Sequence, residues 1–216
     1  MFRSNDRRRA GFTLVEVSLS IVILGSILGT IAMVQGRGES AAKVSTAQTE
    51  ANLKAARLLD RLVRDLQPFG GDGATPSQST NLGTDTLTYQ LSTGVVGGVV
   101  QWGTPRRLDL QLDAGELDNG VDDDGDGLVD ERALLLTIDV GTADQRTTIL
   151  SDEIVELYPG ETANVLDDNG NGVTDERGFN LHRTGNLLAV RVAVAVPGPD
   201  GSVVTAALET SFRVRN

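Results

Sequence analysis

Two acidic segments contain the residues of this chain best suited to bind a metal ion. They read DDDGDGLVDE at 122–131 and DDNGNGVTDE at 167–176, align without gaps and start 45 residues apart. Side chains with carboxylate or amide oxygens alternate with glycine in both, and a hard cation such as Ca²⁺ takes about six to eight oxygen ligands. The glycines permit the sharp turn that directs the next carbonyl inward. The sequence therefore predicts up to two Ca²⁺ sites, within residues 118–131 and 167–176.

The expected ligands follow by analogy with the EF-hand loop, in which oxygen donors occupy alternate positions. For the first site they are Asp122, Asp124, Asp126, the carbonyl of Leu128, Asp130 and Glu131, with Asp118 as a further candidate. For the second site they are Asp167, Asn169, Asn171, the carbonyl of Val173, Asp175 and Glu176. The EF-hand's closing glutamate is replaced by Ala133 and Gly178, so we expect the Asp-Glu pairs to close the sites. The asparagines lower the charge of the second site, so the first is expected to bind more tightly.

Two interpretations of these segments stay open. An ion in each would close a long connection and supply folding energy to a domain that has no cysteine for disulfide bonds. The same composition is also typical of solvated turns between strands.

The N-terminal region predicts a membrane-spanning helix. Three arginines at 7–9 precede Gly11, and from Phe12 to Val34 the only ionisable residue is Glu16. A run of about 20 apolar residues is long enough to span a bilayer as a helix. The arginines predict that the N-terminus stays cytoplasmic and that the rest of the chain is exported.

Glu16 needs a partner in this setting, because a carboxylate inside a spanning segment costs about 3 kcal/mol or more. Cleavage after Gly11 would create a free amine on Phe12, four residues before the carboxylate. The two groups can neutralise each other within one helix or between staggered subunits. Alternatively, Glu16 lies near the membrane interface and snorkels or stays protonated.

The sequence GFTLVE at 11–16, followed by its apolar run, closely resembles the class III signal of type IV pilins and pseudopilins. The resemblance implies cleavage between Gly11 and Phe12 by a membrane prepilin peptidase and N-methylation of Phe12. It also implies assembly with sibling subunits, in which Glu16 pairs with the N-terminus of an adjacent subunit. An ordinary secretory signal is the alternative, but residues 31–33 and 34–36 fit its cleavage site poorly. Residues 58–66 and 212–216 show a weaker likeness to the J-type minor pseudopilin of type II secretion.

Periodicity predicts an α+β fold in which a long helix packs on an antiparallel sheet. Residues 1–11 form the cytoplasmic leader, 12–35 the transmembrane helix, 36–68 its amphipathic continuation and 69–216 a β-rich head. The continuation carries an apolar stripe at helical spacing, formed by Val44, Ala47, Ala51, Ala55, Leu58, Leu59, Leu62 and Leu66. Glycines at 36 and 38 mark a soft spot where the helix is able to bend or locally melt. Alternating or apolar runs predict strands at 86–91, 107–112, 133–140, 147–150, 187–196 and 203–214.

Composition limits the function classes. The formal charge is −11, and it becomes −14 without the leader, so nucleic-acid binding is disfavoured. We find no catalytic constellation: the one histidine, His182, has no cysteine partners, and no nucleophile or phosphate-binding motif is present. The sequence predicts a protein without enzymatic activity.

Together these features predict a minor subunit of a type II secretion pseudopilus or a type IV pilus. Its precursor lies in the bacterial inner membrane, in contact with lipid, with its head in the periplasm before it joins the filament. The alternative is a calcium-binding surface protein that uses the apolar segment only as an anchor.

Overall fold

The computed structural model describes residues 13–68 and 84–214. One helix, α1 (Leu14–Leu66), precedes nine strands. In chain order the strands are β1 (Thr86–Tyr89), β2 (Ser92–Val96), β3 (Val99–Trp102), β4 (Arg106–Leu112), β5 (Arg132–Ile138), β6 (Arg146–Ile154), β7 (Phe179–Thr184), β8 (Leu187–Pro197) and β9 (Val203–Arg213). The predicted α+β class, with a long N-terminal helix and an antiparallel sheet, is confirmed.

Seven strands form the main sheet in the order β1-β4-β5-β6-β8-β7, with β9 paired to β8. Every pairing is antiparallel, and β9 accompanies β8 from Leu187↔Arg213 to Pro197↔Val203. Strands β2 and β3 form a separate hairpin whose valines at 95, 96, 99 and 100 are exposed. A short 3₁₀ turn, Pro199–Gly201, joins β8 to β9, where the proline- and glycine-rich sequence predicts a hairpin connection.

The chain divides into two compact units, Met1–Lys43 and Val44–Asn216. Within the second, the buried face of α1 consists of Ala47, Ala51, Ala55, Leu58, Leu62 and Leu66. These residues join one core with buried residues of the sheet such as Tyr89, Phe179 and Val192. The predicted stripe is thus largely confirmed, although Val44 is exposed and Leu59 is only partly buried.

Several local predictions differ from the structure. Helix α1 continues through Gly36 and Gly38 without a break, because two glycines cost only about 2 kcal/mol against the many backbone hydrogen bonds around them. Strand β7 lies outside the predicted strand ranges, since its sequence FNLHRT is short and mostly polar, yet it pairs with β8 along its whole length. The leader, residues 1–11, and the predicted start of the head, residues 69–83, lie outside the described residues.

Two long connections leave the same region of the sheet. The first loop, residues 113–131, joins β4 to β5, and the second loop, residues 158–176, lies between β6 and β7. Arg132 follows the first loop and Arg177 follows the second, and both donate to Glu156 Oε1, at 3.3 and 2.5 Å. The sheet therefore holds the ends of the two acidic loops beside each other.

Candidate functional sites: the N-terminal helix and the two acidic loops

The start of α1 is closed by a reciprocal cap between Thr13 and Glu16. The Thr13 backbone N–H and its hydroxyl both donate to Glu16 Oε2 at 2.8 Å, and the Glu16 N–H donates to Thr13 Oγ1 at 3.3 Å. This is a capping box, and the spacing T-x-x-E before an apolar run is its sequence signature. This partner within the same helix was not among those predicted for Glu16. Gly11 and Phe12 lie outside the described residues, so the pairing of Glu16 with the Phe12 amine stays a prediction.

From Leu14 to Val34, α1 has one charged side chain, Glu16, and its other polar side chains are hydroxyl groups. All described residues from 13 to 46 are exposed, and most of the large side chains between Leu14 and Val34 are apolar. The hydroxyl groups in this stretch donate to the carbonyl four residues earlier, at 2.7–2.9 Å, in Ser18, Ser20, Ser26 and Thr30. Among the described residues, α1 is the one helix long and apolar enough to cross a membrane. Such a surface is suited to lipid or to other apolar helices.

The two acidic loops share one backbone design. Each is closed at its base by a backbone bond, Asp113 N to Glu131 O at 3.1 Å and Tyr158 N to Glu176 O at 2.8 Å. In each, one buried glutamate accepts backbone N–H groups from the acidic segment. Glu116 accepts from residues 123, 124 and 130, and Glu161 accepts from residues 169 and 175. The 45-residue repeat therefore extends from the acidic segments to the start of each loop.

The aspartates at the two ends of each acidic segment also hold backbone in place. Asp122 accepts from the N–H groups of residues 125 and 127, and Asp167 does the same for residues 170 and 172. Asp130 accepts from residues 119 and 120, and Asp175 from residues 164 and 165. Asp130 and Asp175 adopt left-handed φ angles of 50° and 46°. These hydrogen bonds offset the cost of that conformation and fix the loop shape.

Carboxylates cluster in the interior of the first loop. Glu131 is 2% exposed, and neither of its side-chain oxygens has a hydrogen-bond partner among the described residues. Oxygens of Asp113, Asp124 and Glu131 lie within 4.8 Å of one another, and so do oxygens of Glu116, Asp122 and Asp124. Asp124 belongs to both groups, so the five carboxylates form one connected cluster.

The interior of the second loop is neutralised by the protein itself. Glu176 is completely buried, and its Oε1 accepts from the side-chain amides of Asn169 at 3.3 Å and Asn171 at 2.7 Å. Its Oε2 accepts from Arg191 Nη1 at 2.8 Å. Arg191 lies on β8, is 6% exposed, and also donates through Nε to Glu209 Oε2 at 2.9 Å. Every oxygen of the buried carboxylate therefore has a donor.

The electrostatic environment of the first loop disfavours the charged form of its carboxylates. Burial, together with the negative charges of Asp126, Glu116 and Asp124, raises the pKa of Glu131 to about 7. Burial and the charges of Asp152, Asp124 and Asp126 likewise raise the pKa of Asp113. Neutralising Glu131 therefore requires either a proton or a cation.

Residues 6–32 match the family model described as the prokaryotic N-terminal methylation motif. This match, at the start of a long apolar helix, supports a type IV pilin-like protein. No curated protein and no solved structure matched it. The matched residues do not include 58–66 or 212–216, so the likeness to the J-type pseudopilin gains no support from them. Pilin-like proteins of this kind are generally not enzymes.

The predicted metal ligands have different positions and contacts in the structure. Asp122, Asp124 and Glu131 lie in the carboxylate cluster, whereas Asp126 and Asp130 lie outside the two groups found in the described residues. Leu128 and Val173 have buried side chains, and the side-chain oxygens of Asn169 and Asn171 accept from the N–H groups of residues 171 and 173.

Sequence reasoning missed four residues that complete these loops: Asp113, Glu116, Glu161 and Arg191. Glu116 and Glu161 had a detectable signal, because the repeat at a spacing of 45 continues upstream through Gly115-Glu116 and Gly160-Glu161, whereas the counterpart of Asp113 is Tyr158. Arg191 had none, since it lies 15 residues beyond Glu176 on another strand.

Proposed function

We propose that this pilin-like chain is a minor subunit of a filament, either a type II secretion pseudopilus or a type IV pilus. Its precursor is inserted in the inner membrane, and prepilin peptidase cuts it between Gly11 and Phe12. The proposal is carried by the match of residues 6–32 to the methylation motif, on a helix whose residues 13–46 are exposed. The apolar surface of this helix between Leu14 and Val34 is stable only in lipid or against other helices.

The assembly role depends on Glu16. In a filament core, its carboxylate would lie among apolar helices, where a charge without a partner is strongly unfavourable. The methylated amine of Phe12 in an adjacent subunit supplies that partner. Thr13 already occupies one carboxylate oxygen from within the same helix, so the second oxygen is the one directed at the neighbouring subunit.

Substitution of Glu16 tests this proposal. We expect Glu16→Leu to be cleaved and membrane-inserted normally but to be lost from filaments, because neither the cap nor the charge remains. Glu16→Gln keeps the hydrogen-bonding shape of the cap and removes only the charge. If the ion pair is required, both variants fail to assemble, whereas rescue by glutamine would show that the cap alone suffices. Glu39→Leu, an exposed position on the same helix, is the matched control and should assemble normally.

The fraction that contains the processed protein distinguishes the two filaments. Mass spectrometry of the N-terminal peptide in sheared surface filaments and in the envelope should detect methylated Phe12. Recovery mainly in the envelope identifies a secretion pseudopilin, in line with the J-type likeness of residues 58–66. Enrichment in sheared filaments identifies a minor pilin.

An anchored surface protein that never assembles is the second candidate. It is favoured by the acidic loops, since ion binding by the head does not require a filament. An uncut leader in every fraction, together with normal behaviour of Glu16→Leu, would establish this function and overturn the first. In both cases we propose that Ca²⁺ stabilises the head and that the protein has no enzymatic activity.

A further inference from the structure

We propose that the head binds a single Ca²⁺ ion, in the first loop, and that Arg191 and two asparagine amides take the place of an ion in the second. The first-loop ligands are Asp113, Asp124 and Glu131, with Glu116 and Asp122 beside them. This inference is independent of the filament function, because it concerns only the head.

The need for a cation in the first loop follows from Glu131. A buried carboxylate without any hydrogen-bond donor is among the most unfavourable arrangements in a protein interior. Both oxygens of Glu131 are in this situation, and the nearest ionisable groups are other carboxylates. Arg132 follows Glu131 in sequence, but its guanidinium group donates to Asp118 and Glu156 instead. A bound cation supplies the missing positive charge and coordinates both oxygens at once.

The spacing of the carboxylates fits Ca²⁺. Two oxygens that coordinate one Ca²⁺ ion at about 2.3–2.6 Å lie at most about 5 Å apart. The oxygens of Asp113, Asp124 and Glu131 lie within 4.8 Å of one another, which is within this limit for each pair. Glu131, with two unoccupied oxygens, is suited to the bidentate role that the last glutamate of an EF-hand performs. The donors are all oxygens, and the first loop contains no histidine or cysteine.

In the second loop, hydrogen-bond donors of the protein take the place of an ion beside Glu176. At the positions of Asp124 and Asp126 it has Asn169 and Asn171, whose amides donate to Glu176. The position of Asp113 is occupied by Tyr158, so one candidate ligand is absent. Arg191 brings a permanent positive charge to Glu176 from β8. The first loop has nine acidic residues and the second has five, and neither has a basic residue. The loop whose buried glutamate pairs with Arg191 is therefore also the one with fewer charges to neutralise.

Equilibrium dialysis of the full-length protein in detergent, after removal of metals with EDTA, tests the inference by counting bound Ca²⁺. We expect one ion per chain in the native protein. The double variant D124N/D126N should bind none, and asparagine at these positions should be tolerated because the second loop holds the same backbone with Asn169 and Asn171. E131Q provides a second variant that removes the charge but keeps the shape.

The matched experiment converts the second loop into an acidic site like that of the first loop. N169D/N171D should still bind one ion, because Arg191 remains, whereas N169D/N171D/R191M should bind two. Circular dichroism in EDTA verifies that each variant is folded. Two ions in the native protein, or none at millimolar Ca²⁺, would overturn the inference. So would an unchanged stoichiometry in folded D124N/D126N and folded E131Q.

Discussion

The two acidic loops have nearly the same backbone conformation, but the groups around their buried glutamates differ in charge. Both are closed by a backbone bond at the base, anchored by a buried glutamate and turned by residues with left-handed φ angles. Glu176 is surrounded by three donor groups, whereas Glu131, at the same position of the repeat, is surrounded by carboxylates. The residues that repeat in both loops therefore determine the shape of each loop. Side chains that differ between the two loops determine the charge balance of the interior.

Removal of Arg191 should have the largest effect on stability. R191M leaves Glu176 buried with an uncompensated charge, which typically costs about 3–5 kcal/mol. We expect a large fall in the thermal midpoint by differential scanning calorimetry, with and without Ca²⁺. The double variant R191M/E176Q should recover much of the loss, because the unpaired charge is then gone. If the double variant were as unstable as R191M, the ion pair would not be what stabilises the second loop.

Removal of Ca²⁺ should have the next largest effect, and it should act through the first loop alone. A ligand present at about 100 times its Kd stabilises the folded state by about 2.7 kcal/mol. For a chain of this size that corresponds to a rise of about 5–10 °C in thermal midpoint. We expect this difference between Ca²⁺ and EDTA in the native protein and in N169D/N171D. Its persistence in D124N/D126N would show that the first loop is not the source.

A smaller effect is expected from pH in the presence of EDTA. The pKa of Glu131 is about 7 in the folded state, above the ordinary value of 4.5, so the folded protein retains a proton that the unfolded chain has released. The contribution of this proton to the free energy of unfolding is therefore fully present below pH 4.5, and it is lost as the pH rises through 7. E131Q carries no such proton and should show a flatter profile over this range. Equal slopes in both proteins would exclude Glu131 as the origin.

The smallest difference is expected between two equivalent glycines. Gly127 and Gly172 have φ angles of 95° and 90°, so alanine is strained at both and should cost about 1–2 kcal/mol. A β-carbon at Gly127 would also approach Pro197 Cβ to 3.1 Å, whereas one at Gly172 meets nothing within 4 Å. Chemical unfolding in EDTA should therefore rank G127A as less stable than G172A. The reverse order would mean that the first loop does not pack against the end of β8 in solution.

The fold was predictable where a periodic pattern coincided with burial. The apolar spacing of α1 predicted six residues that are buried in the structure. Strand β7 escaped prediction because its position depends on pairing with β8 rather than on alternation within its own sequence. The cap between Thr13 and Glu16 was detectable as a local motif, since both residues lie in the first turn of the helix.

The amino-acid sequence by itself determined the methylation motif, the apolar helix and the duplicated acidic loops. These features depend on residues that are close together in the chain, where spacing alone specifies which groups meet. Only the tertiary structure decided that Glu131 is buried among carboxylates and that Glu176 is paired with Arg191. The physical reason is that charge balance in a buried site depends on every group within a few ångströms. Strand β8 brings one of those groups from a distant part of the chain to one loop and not to the other.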